Sequence, residues 1–371
     1  MSLKLRIAYF AHSLRSDWNN GNAHFLRGLM REMGIRGHEA VVFEPYAEWS
    51  IENLMQERCG KESLRQFAAM YPDLRIELYK QDSIEDRDAW RERLRGFDAI
   101  LVHEWNSPAL AHMLLDLRAE TGYRMLFHDT HHRASSSPEQ IRRFGVDRFD
   151  GVIVFGQILR EIYRERFGMT RVWTLHEAAD TAVFRPLTEV PKQQDVIWVG
   201  NWGDDERSQE IREFLLRPAS LMPVRRFTIY GVRYPKEAES ALHDVGIRYG
   251  GYLANLNAPA VYASSRLTVH IPRRQYARQM VGIPTIRVFE ALACGIPLVS
   301  APWRDAEGLF REGDMRFVMN GEEMCCVIKG LLERPEETAA QAERGLETVI
   351  ARHTCRHRAE ELTAICEEVL R

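Results

Sequence analysis

The sequence predicts an α/β protein built on two doubly wound, Rossmann-like parallel sheets. Strand-like apolar runs alternate with helical patterns along nearly the whole chain, which is typical of parallel sheets covered by helices. The alternation is interrupted at residues 184–194, where two prolines and a polar cluster indicate a linker. The length of 371 residues also exceeds what one ordinary hydrophobic core organises. Two domains are therefore expected, one on each side of the linker.

The predicted strands divide evenly around that linker. They lie at 3–12, 38–45, 98–105, 123–129, 150–156 and 171–177 before it, and at 195–202, 225–231, 246–252, 266–272, 296–302 and 315–320 after it. These elements predict an N-terminal domain at 1–183, a C-terminal domain at 184–350 and a C-terminal helix at 351–371. Because open parallel sheets bind ligands at the carboxyl ends of their strands, the ligand is expected in a cleft between the domains.

The composition argues against several classes of partner. The chain carries 50 basic and 53 acidic residues, a net charge of −3, so no overall positive field would attract nucleic acid or a membrane surface. No apolar run reaches membrane-spanning length, and the N-terminus has no secretory signal. The six cysteines form no C-x-x-C pair and no metal-binding spacing. We therefore expect a reduced, cytoplasmic protein that binds no metal, nucleic acid or membrane.

An acidic residue, Glu290, lies in the middle of the mostly apolar sequence of residues 282–302. Glu290 is predicted to start a short helix that Gly295 ends, ahead of a buried strand at 296–300. Backbone N–H groups at a helix start create positive potential, here beside the strand ends where such folds hold ligands. The carboxylate therefore has two interpretations: it binds a ligand, or it only complements the helix dipole.

Several segments occur in the order found in one enzyme family. They are 20–43, 179–186, 198–215, 229–235, 249–271, 287–300 and 351–362. Together with the two Rossmann-like halves, this set resembles the group 1 glycosyltransferases of the GT-B fold, and most closely the branch named after the spore-maturation protein CgeB. The resemblance implies a bacterial enzyme whose two domains face each other across a cleft, with a C-terminal helix that crosses back to the N-terminal domain.

The resemblance also implies an activity. Such hexosyltransferases move a sugar from a UDP- or GDP-sugar on the C-terminal domain to an acceptor on the N-terminal domain, without a metal and without any cofactor beyond the nucleotide-sugar co-substrate. The acceptor is left open as a glycan, a lipid-linked sugar, a protein or a small molecule. Two alternatives also stay open: a GT-B-fold sugar-nucleotide epimerase, and a non-catalytic relative that only binds a nucleotide sugar. The chain has no G-x-G-x-x-G, which argues against a nicotinamide dehydrogenase.

The family pattern assigns donor contacts to several residues. Glu290 matches the glutamate that accepts hydrogen bonds from the ribose hydroxyls, and Arg207 matches the basic residue on the phosphate side. Retaining members carry a second glutamate eight residues before the first, where this chain has Gly282; Gln279 or Arg278 could reach the same space. The expected donor-binding set is Glu290, Arg207, Gly200, Asn201, Tyr230, Gly231, Gly250, Gly251, Tyr252, Arg273 and Arg287.

In the N-terminal domain, polar residues follow the predicted strands at their carboxyl ends. His12, His103 and Glu104 occupy such positions, and His128 matches a family histidine that bonds the donor sugar. Asp129 is expected to act as a general base or to orient a histidine. The predicted catalytic set is His128, Asp129 and His12. Gly21 and Asn22 resemble the family's small-residue turn, where backbone N–H groups face phosphate or the attacking hydroxyl.

Overall fold

The computed structural model describes residues 4–371, except for the side chain of Asp204, and divides the chain into two compact units. Residues 1–3, with which the predicted N-terminal domain begins, lie outside the described residues. The first unit comprises the chain up to Ser16, Ala23–Glu177 and Cys355–Arg371, and the second comprises Asp17–Asn22 and Ala178–Thr354. Each unit is therefore assembled from separate segments of the chain.

The first unit is built on a seven-stranded sheet whose strands are all parallel. In chain order the strands are β1 Arg6–Phe10, β2 Glu39–Pro45, β3 Arg75–Tyr79, β4 Ala99–His103, β5 Arg124–Asp129, β6 Gly151–Val154 and β7 Val172–Thr174. Their order across the sheet is β3-β2-β1-β4-β5-β6-β7. Because the chain winds outward from β1 in both directions, the carboxyl ends of β1 and β4 lie side by side.

Helices connect these strands, and the C-terminal helix completes the unit. The connecting helices are α1 Ala23–Ile35, α2 Trp49–Gln56, α3 Gly60–Met70, α4 Arg87–Arg93, α5 Pro108–Thr121, α6 Arg133–Ser136, α7 Pro138–Arg142 and α8 Gln157–Phe167, with 3-10 turns at Gln81–Glu85 and Val146–Arg148. The C-terminal helix, Cys355–Leu370, packs on α1. Its Cys355 thiol donates to the main-chain oxygen of Phe25 at 3.6 Å. As predicted, this helix joins the N-terminal part of the chain.

The second unit contains a six-stranded parallel sheet with the same winding. Its strands are β8 Gln194–Val199, β9 Phe227–Tyr230, β10 Arg248–Tyr249, β11 Ser265–His270, β12 Leu298–Ser300 and β13 Arg316–Phe317. The order β10-β9-β8-β11-β12-β13 places the carboxyl ends of β8 and β11 side by side. The helices are α9 Ser208–Ile211, α10 Arg217–Leu221, α11 Lys236–Asp244, α12 Ala258–Ala263, α13 Arg274–Arg278, α14 Ile286–Ala293, α15 Gly321–Glu333 and α16 Pro335–Arg352, with 3-10 turns at Asp204–Glu206 and Asn255–Asn257 and a π-helical turn at Arg212–Leu216.

Two sets of contacts explain which segments the second unit includes. Ala179 forms a parallel bridge with Thr354, so the chain ahead of the predicted linker is already bound to the end of this unit. The loop Asp17–Asn22 joins the same unit, although it is early in the sequence. Its Asp17 carboxylate accepts hydrogen bonds from the Tyr252 hydroxyl and, at 3.0 Å, from the Asn255 N–H. These bonds attach a segment between β1 and α1 to the loop that follows β10 in the second unit.

Candidate functional site

A buried arginine occupies the carboxyl edge of the second sheet, where β8 and β11 lie side by side. Arg207 is 9% exposed, and its guanidinium donates to the main-chain oxygens of Asn201 at 2.5 Å and Ile271 at 3.4 Å. These two carbonyls follow β8 and β11, so the side chain bridges the two strand ends. Its guanidinium carbon also lies 5.1 Å from the ring centre of Trp198, within cation–π range.

Among the side chains that the structure describes, which exclude that of Asp204, Arg207 has no carboxylate partner. Its hydrogen bonds go to main-chain oxygens, and its Nε is buried without a partner in the described structure. Burial, with the nearby charges of Arg273 and Arg287, lowers the pKa of Arg207 to about 9, which still leaves the side chain charged at neutral pH. Because a buried, uncompensated cation is costly, this position favours an anion.

Two neighbouring arginines do have carboxylate partners: Arg273, which directly precedes α13, and Arg274, the first residue of that helix. Arg273 bonds Glu206 at 2.5 Å, and Arg274 bonds Glu210 at 2.7 and 3.1 Å. Arg273, one of the predicted donor contacts, is therefore already paired with an acid. It adds to the positive potential at Arg207 while its own charge is balanced.

Glu290 does not start a helix, and that prediction is wrong. α14 begins at Ile286, so Glu290 lies in its second turn. The prediction failed because Ile286, Val288 and Phe289 are all buried helical residues, and a short apolar run does not reveal its helical period. The helix-dipole interpretation is lost as well, since that effect is confined to the first turn of a helix.

Glu290 instead belongs to a buried ion pair within α14. Arg287 Nη1 donates to both carboxylate oxygens, at 2.8 and 2.6 Å, and the Tyr262 hydroxyl lies 3.4 Å from Oε2. Glu290 is fully buried, whereas the Arg287 side chain retains 26% exposure. A ligand must displace a neighbouring group to reach Glu290.

The four predicted donor-binding glycines lie where the backbone is crowded or unusual. A Cβ on Gly231 would lie 2.1 Å from the oxygen of Gly200, one on Gly250 would lie 2.3 Å from the ring of Tyr230, and one on Gly200 would lie 2.7 Å from the ring of Trp198. Gly251 has a φ of +69°, which disfavours any side chain. The fold alone therefore accounts for these glycines, and a ligand contact at them stays a prediction.

The early loop Asp17–Asn22 contacts the predicted donor residues of the second unit. The Tyr252 hydroxyl bonds Asp17, and the Asn201 side-chain amide bonds Asn19. A Cβ on Gly21 would lie 3.6 Å from Nη2 of Arg287. The predicted small-residue turn of Gly21 and Asn22 therefore begins beside the Arg287 end of the Arg287–Glu290 pair.

The space beside Gly282 is filled by another segment of the same unit. Gly282 has a φ of +109°, and a Cβ there would lie 3.1 Å from Cγ and 3.3 Å from Oε1 of Glu307. A glutamate at this position would therefore be strained and would compete with Glu307 for space. The three nearest heavy atoms belong to Glu307 and Ala306, and none belongs to Gln279 or Arg278. A carboxylate is thus present beside Gly282, but it comes from the loop after β12.

His270, the last residue of β11, is a buried neutral histidine. Its Nδ1 lies 2.9 Å from Ser300 Oγ, and its Nε2 lies 3.1 Å from Thr285 Oγ1. Burial, with the nearby charge of Arg207, lowers the pKa of His270 to about 3. The ring therefore connects β12 to the start of α14 without adding charge beside Arg207.

Replacing His270 with glutamine is expected to make the protein less sensitive to acid. The folded-state pKa of about 3 lies below the unfolded value of 6.5, so the unfolded chain binds more protons and stability falls as the pH drops through this range. The wild type should lose up to about 1.4 kcal/mol more per pH unit than His270→Gln. Urea unfolding at several pH values measures both slopes, with His243→Gln, at an exposed histidine, as the control. Equal slopes for wild type and His270→Gln would contradict a neutral buried ring.

Three closely spaced histidines lie at the carboxyl edge of the first sheet. The ring centres of His12 and His103 are 5.9 Å apart, and those of His103 and His128 are 5.7 Å apart. The Tyr9 hydroxyl shares a hydrogen bond of 2.7 Å with His128 Nδ1. Burial lowers the pKa of His12 to about 4 and that of His128 to about 3, and it holds the pKa of His103 well below its usual range. All three rings are therefore neutral at pH 7.

Each of these rings has a nitrogen that lacks a hydrogen-bond partner within the described range. These atoms are His12 Nδ1, His103 Nδ1 and His128 Nε2. Thr130 Oγ1 donates to Glu104, so it accepts the proton of His103 Nε2 at 3.1 Å, which leaves His103 Nδ1 as an acceptor. Buried nitrogens without partners are costly, so they indicate where a ligand supplies the missing bonds.

Asp129 is buried at the end of β5 and bonds a tyrosine rather than a histidine ring. The Tyr163 hydroxyl donates to Oδ2 at 2.7 Å, and the main-chain N–H of His131 donates to Oδ1 at 2.9 Å. Of its two predicted roles, orienting a histidine ring is therefore not realised in the described structure. Burial raises the pKa of Asp129 and of Glu104, and Arg133, which bonds Glu104, opposes this shift. The raised proton affinity of Asp129 is compatible with its other predicted role, that of a base.

Two residues at these sheet edges were not predicted as site residues. Trp105, directly after β4, is 48% exposed, and the signal that could have found it is an aromatic residue at a strand end. Glu307 lies in a different loop from Gly282, and no sequence spacing indicates that the two approach each other.

Comparisons with known proteins relate these sheets to known structures. A family described as glycosyl transferase-like matches residues 207–364. HepE (Alr3699) of Anabaena, solved with UDP-glucose, has a TM-score of 0.71 at 14% identity, covering 98% of this chain and 100% of its own. Sucrose-phosphate synthase of Thermosynechococcus elongatus has a TM-score of 0.69 at 14% identity, with coverages of 98% and 99%. An α-glucosyltransferase solved with UDP and a 13-mer DNA has a TM-score of 0.71 at 12% identity, with coverages of 98% and 100%.

These matches confirm the predicted fold. No curated protein matches the sequence. Across residues 4–371, no helix is both long and apolar enough to cross a bilayer. The matched family region contains Arg207 and Glu290, and both parallel sheets agree with the GT-B structures over nearly the whole chain. The chain therefore has the GT-B fold of these structures, and its residues 207–364 match the glycosyl transferase-like family.

Proposed function

We propose that this enzyme transfers a hexosyl group from a nucleoside diphosphate sugar held by its second unit. The observation that carries the proposal is Arg207, a buried cation at the ends of β8 and β11 that has no carboxylate partner among the described side chains, which exclude that of Asp204. A diphosphate supplies the negative charge and the acceptor oxygens that this side chain lacks. HepE and the α-glucosyltransferase were solved with UDP-glucose and UDP, which favours a UDP-sugar over a GDP-sugar.

Donor binding in this proposal opens the ion pair of α14. Arg287 is partly exposed beside Gly21, so its guanidinium can turn towards a phosphate oxygen together with the N–H groups of the Gly21–Asn22 turn. Glu290, released from Arg287, then accepts the ribose hydroxyls. The nucleobase of the donor lies near Tyr230, Tyr252 and the glycines Gly231, Gly250 and Gly251 at the ends of β9 and β10.

The first unit in this proposal supplies the groups that act on the sugars. His12 is the general base, because its ring is neutral, only half-buried, and has an Nδ1 without a partner among the described residues. The acceptor hydroxyl gives its proton to His12, its oxygen forms a bond to the anomeric carbon, and the bond from that carbon to the diphosphate oxygen breaks. His128 Nε2 bonds a sugar hydroxyl, and Asp129 stabilises positive charge that develops on the histidines.

Glu307 is proposed to contact the donor sugar in place of the glutamate that is missing at Gly282. Glu307→Gln is expected to weaken binding of UDP-glucose by about tenfold, near 1.4 kcal/mol, because an amide replaces a charged acceptor of sugar hydroxyls. Binding of UDP should not change. Calorimetric titration with both ligands measures this difference, with Glu312→Gln, at an exposed acid later in the same connection, as the control. An equal loss for UDP and UDP-glucose would show a distorted site and contradict the role.

The CgeB-like relationship, the cytoplasmic location and the independence from metal are parts of the same proposal. Metal independence follows if arginines and backbone N–H groups alone balance the diphosphate charge. The two alternatives predict different products: an epimerase converts the donor without an acceptor, and a binding-only relative releases no nucleotide.

The function is tested by incubating the full chain with UDP-glucose, UDP-galactose, UDP-N-acetylglucosamine and GDP-mannose. We expect slow release of nucleoside diphosphate from one donor without an acceptor, because water can replace the acceptor hydroxyl. EDTA should not change the rate. Loss of turnover in EDTA with recovery in magnesium or manganese would contradict the metal-free mechanism. No release and no binding of any donor would contradict the proposed function.

A further inference from the structure

Trp105 is an exposed indole at the carboxyl edge of the first sheet. Its side chain is 48% exposed, although tryptophan is usually largely buried. Its ring centre lies 6.1 Å from that of His12, which follows β1, and 5.2 Å from that of His131. Because Trp105 itself follows β4, the indole lies at the switch point of the sheet, where open α/β folds bind ligands.

The indole is held in place by a buried ion pair. The guanidinium carbon of Arg133 lies 4.3 Å from the Trp105 ring centre. Arg133 in turn bonds the carboxylate of the fully buried Glu104 and, at 2.7 Å, its main-chain oxygen. Asn106 fixes the turn by donating to the His103 oxygen at 2.8 Å. An aromatic surface that is fixed before binding loses little entropy when a ligand covers it.

The groups around this surface are suited to a neutral, hydroxyl-rich ligand. The His12 ring is neutral, and its Nδ1 has no partner in the part of the chain that the structure describes. The charge of Arg133 is already balanced by Glu104. A pyranose ring has a face of C–H groups and a rim of hydroxyls, so its face can cover the indole while a hydroxyl bonds His12. A nucleic acid would instead need unpaired cations for its phosphates.

We propose that the acceptor of the glycosyl transfer is itself a carbohydrate, and that Trp105 is the surface on which its ring stacks. This inference rests on the proposed function, because only a transferase needs an acceptor. His12 then serves as both the hydrogen-bond partner and the base for the reacting hydroxyl of that sugar.

Fluorine NMR of the full chain labelled with 5-fluorotryptophan tests the contact directly. The Trp105 resonance, one of eight, is the signal that disappears in Trp105→Phe. The probes are glucose, galactose, mannose, N-acetylglucosamine and the β-1,4-linked disaccharides of glucose and N-acetylglucosamine, with a single-stranded DNA oligonucleotide as the competing class. We expect a sugar to shift the Trp105 signal and not that of Trp49, which is 46% exposed on α2. A shift by DNA alone, or by no probe, would overturn the proposal.

Kinetics with the sugar that binds provide the second test. Trp105→Ala is expected to raise the acceptor KM at least tenfold, about 1.4 kcal/mol, and to raise the donor KM far less. Trp49→Ala is the matched control and should change neither constant. Equal acceptor KM values in the two variants would overturn the proposal. If no nucleotide sugar is turned over by the wild type, the proposed function fails, whereas the NMR titration still decides whether Trp105 binds sugar.

Discussion

Arg207→Met is expected to weaken the binding of UDP about a hundredfold, near 2.7 kcal/mol, and to leave the binding of uridine unchanged. The charge-assisted bonds to the diphosphate are lost, whereas nothing that contacts the base or ribose is altered. Methionine also removes the cost of burying an unpaired cation, so the free energy of unfolding should stay equal or rise. A loss of affinity without a loss of stability is the signature of a ligand-binding arginine.

The matched control for this experiment is Arg212→Met. Arg212 is also an arginine whose guanidinium lies over a tryptophan, 5.6 Å from the ring centre of Trp202, but it is exposed on the π-helical turn. Calorimetric titration of both variants with UDP and uridine separates the two positions. Unchanged UDP affinity in Arg207→Met would rule out the diphosphate contact, and an equal loss of UDP and uridine would indicate a distorted fold instead.

Glu290→Gln is expected to weaken UDP binding tenfold to a hundredfold, about 1.5–3 kcal/mol, because a mixed donor–acceptor amide replaces a charged acceptor of two ribose hydroxyls. The structure adds a second effect. Since Glu290 is fully buried and bonds Arg287 through both oxygens, the change should also lower the free energy of unfolding, in contrast to the behaviour of an exposed acid.

A thermodynamic cycle with 2′-deoxy-UDP separates ribose binding from the positioning of Arg287. If Glu290 bonds the ribose, the wild type should discriminate between UDP and 2′-deoxy-UDP, and Glu290→Gln should lose most of that discrimination. If Glu290 only positions Arg287, both proteins should discriminate equally, and the ribose role is refuted. Glu210→Gln, at an acid paired with Arg274 near the surface, is the control for the loss of one carboxylate.

The sheets could be predicted from the sequence because parallel strands are buried on both faces and therefore appear as continuous apolar runs. The strand β3, Arg75–Tyr79, was not predicted. It is the edge strand of its sheet, and most of its residues keep solvent exposure, so charged residues interrupt its apolar pattern. The length of strand β10, at the edge of the second sheet, was overestimated, since only Arg248–Tyr249 of the predicted residues 246–252 pair with a neighbour.

Residues of the candidate site could be predicted from the sequence only where a residue follows a strand or matches the family pattern. His12 and His128 were predicted because they follow strands, whose carboxyl ends mark the binding edge, and Arg207 was predicted because it matches the family's phosphate-side residue. The attachment of Asp17–Asn22 to the second unit depends on contacts between residues more than two hundred positions apart, such as Asn255 with Asp17. Glu307 beside Gly282 is likewise a tertiary contact, and neither pattern nor spacing indicates it.

Calorimetric titration of the wild-type protein with UDP, GDP, uridine and guanosine tests the central claim most directly. If Arg207 and the ends of β8 and β11 form a diphosphate site, one nucleoside diphosphate should bind with a Kd in the micromolar range, about −8 kcal/mol, and at least tenfold more tightly than its nucleoside. Failure of both diphosphates to bind, or binding no tighter than that of the nucleosides, would contradict the assignment of the second unit as the donor site.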